Sequence, residues 1–454
     1  MSATIATQLA NYFHKFDYRQ LPDASRVAVK RLLLDYLGVA IAGSQTESGH
    51  AARMFAQSTG TKSESTLIGD SVRVPATLAA FANAISSHSI ELDDIDVIAL
   101  FHFSAPVFSA ALATAEQHGA SGKQLLVALA LGCEMMERVS KAANNSLRNR
   151  GFHTTPTCGV FGATVAAAKL SRLTPTKLTS AFGLAGAQAS GLMEMYGPSM
   201  QKRFNPGPAA RNGVTAAAMA HFGFTGADTI FEGERGFLRA FTDHFDASAL
   251  TAGFDKPYQL DIEFKPYSCA RPIHNAIDCA LEIRKKHAPK LDDIKHIAMA
   301  RHPDWAHYHK NKTPQTYHEA QVSLPYSVAV ALKEGQALLK QYTDRKLKDP
   351  VLRRISDIVD ISVDESLPRG VSCKMTMTMN NGEQYVSQID YPKGSIQNPM
   401  SDDELRTKFN TLAIPVIGDS HAAQLADLVA EVEQVTEIGK LMRLTAKPKR
   451  KARK

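Results

Sequence analysis

Four carboxylates and two histidines fall within fifteen residues, in the run His88-Ser-Ile-Glu91-Leu-Asp93-Asp94-Ile-Asp96 and the His102 that follows it. A carboxylate beside an imidazole orients the ring and stabilises its charged form, so the run suits a histidine general acid/base. Clustered aspartates equally suit a divalent cation such as Mg²⁺. An acidic turn also suits the positive end of a following helix. Residue types alone leave these three readings open.

Further along, Arg148, Arg150 and His153 precede Cys158-Gly-Val-Phe-Gly and a helix, either an anion site at a helix start or a solvated basic loop. Lys202-Arg203-Phe-Asn205-Pro-Gly-Pro-Ala-Ala-Arg211 places two cations before a turn that cannot lie mid-helix. Lys202 there can hold a carboxylate, act as a base if desolvated, or simply be exposed. Lys265, Cys269, Arg271 and His274 lie within ten residues among prolines, where the character of the chain changes and clefts commonly form. The cysteine can equally be a small core residue. His318-Glu-Ala-Gln-Val-Ser323-Leu-Pro-Tyr326 runs into an apolar helix, and Tyr326 taken alone reads as a core aromatic. No G-x-x-x-x-G-K-[ST], H-E-x-x-H or G-x-S-x-G occurs, and Gly183-Leu-Ala-Gly186 continues a helix instead of following a strand.

The elements that position these clusters are helices up to about residue 260. Val27 to Ile41 and Leu125 to Val139 carry apolar residues at helical spacing. Thr174-Pro175 is an N-cap with proline at the first helical position, predicting a helix to about Ala189. Small residues fill Gly159 to Ala168 and Gly183 to Gly191, which predicts closely approaching backbones and a tight helical core. From about Phe264 the pattern turns to α+β. Strands are expected at Lys295 to Ala300, Ile358 to Val363, Ser372 to Met379 and Gln384 to Ile389, the last two flanking the hairpin signal Asn380-Asn381-Gly382. Helices at Ile273 to Lys286 and Val322 to Lys333 complete an α+β module with an antiparallel sheet. After Pro399 helices return, with Ser401 and Glu404 forming a capping box and a further helix from Ser420 to Val435. The expected fold is mainly α: a large helical domain (1–264 and 399–445), an inserted α+β domain (265–398) and a disordered basic tail (446–454).

The chain has 454 residues, 44% hydrophobic and 21% charged, as in ordinary globular proteins. Six positive charges in the last eight residues account for all but one of the net +7, so the basicity belongs to a solvated tail and not to a nucleic-acid surface. No aromatics interleave with those lysines. Five widely spaced cysteines without a C-x-x-C pair argue against a disulfide framework and fit a reducing cytoplasm. Neither a secretory leader nor a membrane span is expected.

In order along the chain, these clusters resemble the MmgE/PrpD family, whose members include 2-methylcitrate dehydratase, cis-aconitate decarboxylase and iminodisuccinate epimerase. The likeness runs from about Ala3 to Leu441. Leu34-Asp-Tyr-Leu-Gly-Val-Ala-Ile-Ala-Gly43 resembles L-D-x-x-G-x-x-x-A-G, and His88 to Asp94 resembles H-x-x-D-F-D-D. His102-Phe-Ser-Ala resembles H-P-S/G-A, and His153 the histidine before a G-x-x-G-A helix. Lys202 with Gly207 to Gly213 resembles K-x-x-x-x-G-x-A-A-[KR]-x-G. Phe264 to His274 resembles F-K-x-Y-P-x-C-R-x-x-H, and Ser323 to Ala329 resembles S-x-x-Y-x-V-A.

The resemblance implies a helical domain with a smaller lid domain and the active site between them, a homodimer, and no metal or other cofactor. It implies that Asp93, His102, His153, Lys202 and Tyr326 are catalytic, and that Lys265 and His274 lie in the site. Arg271 joins Lys202 and Lys265 as a carboxylate clamp, and Glu91 and Asp94 are assigned to substrate binding. The implied chemistry is proton transfer at the carbon next to a carboxylate of a small polycarboxylic acid. Dehydration of the 2-methylcitrate type stands first, decarboxylation of the cis-aconitate type or epimerisation second. A metal-dependent lyase using Asp93, Asp94 and Asp96, and a non-catalytic helical scaffold, are the readings outside the family. Glu91-Leu92, Ile95 and Phe103 depart from the family's Asp-aromatic, Thr and Pro, so they bear on substrate identity more than on fold.

Overall fold

The computed structural model describes residues 3–97, 101–195, 199–256, 258–260 and 262–446; the basic run from Lys447 onward lies outside them. The chain is mainly α-helical, and the described residues hold one two-stranded and one four-stranded sheet. It divides into two compact units, Met1–Ile262 with Ser401–Lys454, and Glu263–Met400.

In the first unit, α1 (Asp23–Gly43) packs against α2 (Ala76–Ser87). A Cβ on Gly43 would stand 1.9 Å from the Ser86 carbonyl oxygen, so only glycine permits the approach. Helices α3 (Ser104–Gln117), α4 (Gly122–Ala143) and α5 (Thr154–Leu170) follow. Every residue of α5 from Thr154 to Ala168 is buried, and none is charged. A helix apolar on all sides belongs at the centre of a bundle. Its Gly162 faces Gly132 of α4, and a Cβ on either would fall within 3 Å of the other's carbonyl oxygen. The small-residue stretches seen in the sequence thus set the spacing of the central helices. A short helix α6 (Gln201–Phe204) and then α7 (Pro206–His221) complete this set, with Pro206 at the first position of α7.

The second unit holds α8 (His274–His287) and α9 (Leu324–Glu334) over a sheet of β1 (Ile294–Arg301), β2 (Val359–Val363), β3 (Cys373–Met379) and β4 (Gln384–Ile389). The strand order is β2-β1-β3-β4. Ile277, Ile283, Ile297, Met299, Val328 and Met375 form its core. The strands lie where the sequence placed them, and the turn between β3 and β4 carries Gly382 at φ +89°. The sheet is mixed, however, not antiparallel: β1 and β2 run parallel. Their connection is long and contains α9, as a parallel crossover requires.

The chain then returns to the first unit through α10 (Asp402–Ile417), started by the Ser401–Glu404 capping box. Lys408 of α10 is buried and pairs with Asp35 of α1 at 2.6 Å. No described helix is long and apolar enough to cross a membrane. All five cysteines are buried, and no disulfide joins any of them.

Candidate active site

Helix α2 ends at Ser87, and His88 caps it. The loop that follows carries the acidic run and re-enters helix at α3. Its backbone is shaped by Glu91, a residue with a side chain held at φ +55°. That left-handed conformation costs about 1–3 kcal/mol and persists only where surrounding contacts enforce it. Two contacts do so. Lys408 Nζ donates to the Leu92 carbonyl at 2.7 Å. The Glu91 carboxylate is itself buried against cations described below. The loop closes through paired backbone bonds between Asp96 and Phe101.

Asp93 and Asp94 are neighbours with different work. Asp94 accepts from the Phe103 amide at 2.7 Å, the Ser104 amide at 3.2 Å and the Ser104 hydroxyl, so it caps the start of α3. Burial, then the nearby Asp93 charge, pushes its carboxyl up to about 7. Both oxygens of Asp94, expected to bind substrate, are thus engaged at the start of α3. Asp93 faces two imidazoles. His88 Nδ1 lies 2.6 Å from Asp93 Oδ2, and His102 Nδ1 lies 3.2 Å from the same oxygen. His102 Nδ1 also lies 2.5 Å from the Asp94 carbonyl oxygen, which can only accept. The Nδ1 of His102 therefore carries a proton, and proton exchange falls to Nε2. The His102 amide donates to Thr155 Oγ1 at 3.1 Å, which ties the loop to the first turn of α5.

His153 stands at the N-terminal end of α5, its ring centroid 6.2 Å from that of His88, which lies 4.9 Å from that of His102. Asn205, just before Pro206, donates to His153 Nδ1 at 3.0 Å. An accepting Nδ1 leaves the proton on Nε2. Burial, the largest cause, holds this imidazole well below the usual histidine range, so it stays neutral. Two histidine rings thus face one carboxylate, and the third, His153, lies beside the ring of His88.

The cations come from α6. Lys202 and Arg203 both donate to Glu91 Oε1. Glu91 and Arg203 are buried, whereas the Lys202 side chain keeps 15% of its surface exposed. Lys202 is the reachable member of the pair.

His88, Asp93 and His102 are the described residues whose donor atoms come close enough together to suggest a metal centre. Ligand atoms around a tetrahedral ion at about 2.1 Å stand roughly 3.4 Å apart. The 2.6 Å contact between His88 and Asp93 is a hydrogen bond, and an ion would have to force it open.

In the second unit, Arg271 directs Nε and Nη2 at Glu263 Oε2 (3.0 and 2.8 Å) and Nη1 at His274 Nδ1 (3.1 Å). His274 Nε2 lies 3.2 Å from the Cys269 carbonyl oxygen. The expected Arg271 clamp is thus held by Glu263, and His274 braces the same segment. Lys265 is buried one residue beyond Phe264, whose amide donates to the Gly394 carbonyl. Tyr326 is not part of this group. It lies in the core of its unit, and its hydroxyl donates to the Gln341 carbonyl at 2.8 Å.

The sequence matches the MmgE/PrpD N-terminal domain over residues 7–250 and the MmgE/PrpD C-terminal domain over residues 267–434. The chain belongs to the MmgE/PrpD family. Among its relatives is the cis-aconitate decarboxylase-like protein oryM of Aspergillus oryzae, 28% identical over 97% of both chains. The cis-aconitate decarboxylase of Aspergillus terreus is 25% identical over 97% of this chain and 95% of its own. That of Homo sapiens is 27% identical over 99% and 96%. These relatives are lyases, which supports a lyase at the level of the MmgE/PrpD family. The N-terminal match spans Glu91, Asp93, His102, His153 and Lys202. Reading residue types missed Arg203 and Asn205 as members of the site. Their signal was adjacency: Arg203 follows Lys202, and Asn205 opens the Pro-Gly-Pro turn.

Proposed function

We propose that this MmgE/PrpD protein is a metal-independent decarboxylase of a small unsaturated tricarboxylic acid of the cis-aconitate class. The observation that carries the reading is the gathering of His102, neutral His153 and the Glu91–Lys202–Arg203 group in one unit of a chain whose full-length relatives are decarboxylases. Lys202 and Arg203 hold a substrate carboxylate and stabilise charge that develops next to it. As the C–C bond to the departing carboxylate breaks, its electron pair passes into the conjugated carboxylate as a dienolate and CO₂ leaves. His153, neutral with Nε2–H, donates a hydrogen bond to the oxygen where charge collects, a task a neutral imidazole performs without giving up its proton. His102, protonated on both nitrogens and held by Asp93, delivers the Nε2 proton to carbon. The trianion and one proton thus become a dianion and CO₂, and His102 takes its next proton from water. Only contacts that strengthen as charge develops accelerate such a step.

Dehydration, ranked first on the sequence, moves to second place. It uses His102 as a base at the outset, and none of the three relatives is a dehydratase. NMR of aconitate-like, citrate-like and aspartate-derived acids in deuterated water distinguishes the two. The expected result is release of CO₂ with deuterium incorporated at one carbon of the product. Formation of an unsaturated acid from a hydroxy acid without CO₂ would replace the proposal by dehydration.

A further inference from the structure

The mechanism above uses His102 and His153 and leaves His88, although His88 is the middle ring of the three. Its Nδ1 makes the shorter of the two contacts to Asp93 Oδ2, 2.6 against 3.2 Å. Its Nε2 is buried and has no hydrogen-bond partner among the described residues. Those two facts fix the state of the ring. A buried N–H without an acceptor costs about 1–3 kcal/mol, and an idle lone pair costs less. A proton therefore sits on Nδ1 and points at the carboxylate. Its position is not adjustable. It caps α2, its amide bonds back to Ala84 and Ile85, and 1% of its surface is exposed.

We infer that His88 is a positioning residue: by donating Nδ1–H to the Asp93 oxygen that also faces His102, it fixes the carboxylate and sets how strongly that oxygen holds the catalytic imidazole. One oxygen shared between two donors binds each less tightly than it would bind one alone. His102 is therefore oriented by Asp93 yet keeps a proton it can hand over. Without His88, that oxygen loses its shorter contact and the balance between its two imidazole partners changes.

The rate measurement rests on the functional reading above; a second readout does not. His88→Leu removes the donor and roughly keeps the volume. His88→Asn places an amide N–H near the position of Nδ1. Loss of an orienting partner of this kind costs about 10–100-fold in activity. The expected result is that fall in kcat for His88→Leu with KM nearly unchanged, recovery of most of kcat in His88→Asn, and a native-like circular dichroism spectrum with a cooperative thermal transition in both. A wild-type kcat in His88→Leu overturns the inference, and so does equal damage in the two variants, which would mean that ring volume and not the hydrogen bond matters. If no tested acid is turned over, the functional reading fails while this one stays testable. Proton NMR of the intact protein should show a far-downfield imidazole N–H signal from His88, lost in both Asp93→Asn and His88→Leu, and a His102 N–H signal, retained through the Asp94 carbonyl, that shifts in both variants. Absence of a His88 signal in the wild-type protein, or an unshifted His102 signal in His88→Leu, also overturns it.

Discussion

Asp94 carries a pH-linked consequence for the stability of the helical unit. Its carboxyl is pushed from an ordinary 3.8 up to about 7, first by burial and then by Asp93. The unfolded chain releases this proton near 3.8, whereas the folded chain keeps it until about 7. Between those values the folded state binds more protons, so stability falls as pH rises and the loss is complete above about 7. Each unit is about 1.4 kcal/mol, so the full window is worth about 4 kcal/mol, and the part between pH 5 and pH 7 about 3 kcal/mol. Asp94→Asn removes the titration but leaves one amide or hydroxyl of Phe103 and Ser104 facing an NH₂ group, at a pH-independent cost of about 1–3 kcal/mol. The wild type is therefore expected to be the more stable protein at pH 5, and its advantage should shrink by about 3 kcal/mol by pH 8. His153, depressed by burial, acts in the opposite sense, since its stabilisation is lost as pH falls below the ordinary histidine range. It is present in both proteins and drops out of the difference. Urea unfolding of both at pH 5, 6, 7 and 8 measures it. A wild-type-to-variant gap that stays constant across the series would refute the assignment of a protonated, buried Asp94.

Two further outcomes follow from buried partners. Lys408→Met leaves Asp35 buried without its ammonium and frees the Leu92 carbonyl, which should cost about 3–5 kcal/mol by calorimetry. Adding Asp35→Asn should recover much of that loss, and a single-variant cost below about 1 kcal/mol would show that the pair does not hold the loop. Asn205→Ala removes the donor that fixes the His153 tautomer, so kcat should fall about 10-fold with little change in folding; an unchanged kcat would take His153 out of the charge-stabilising role.

Much of the fold was legible because it rests on local signals. Thr174-Pro175 and the Ser401–Glu404 box mark helix starts through contacts within three residues, and both caps form. Asn380-Asn381-Gly382 marks a hairpin because glycine alone takes the turn's φ freely. The parallel pairing of β1 with β2 carries no such signal, since the partners are some sixty residues apart in sequence and only a crossover brings them together. Within the site, the run from His88 to His102 was conspicuous by type, but the division of labour between Asp93 and Asp94 was not. It depends on which way two adjacent side chains leave a loop, and that direction follows from a left-handed Glu91 that no glycine announced.

The cations expose the deeper limit. Lys202 and Arg271 stood out as clamps because positive residues beside turns suit carboxylates. In the folded protein each already faces a carboxylate, Glu91 for Lys202 and Glu263 for Arg271. Glu91 and Lys202 are separated by 111 positions, so no window of sequence contains the pair. The compensation is physical necessity, because an unpaired buried charge costs several kcal/mol and a motif's cation reaches a buried site only with a counter-charge. A substrate carboxylate arriving at Lys202 therefore joins an existing ion group instead of meeting a bare ammonium. On the proposed reading, the charge offered to that carboxylate is smaller than the number of lysines and arginines in the motifs suggests, because Glu91 already takes up part of it.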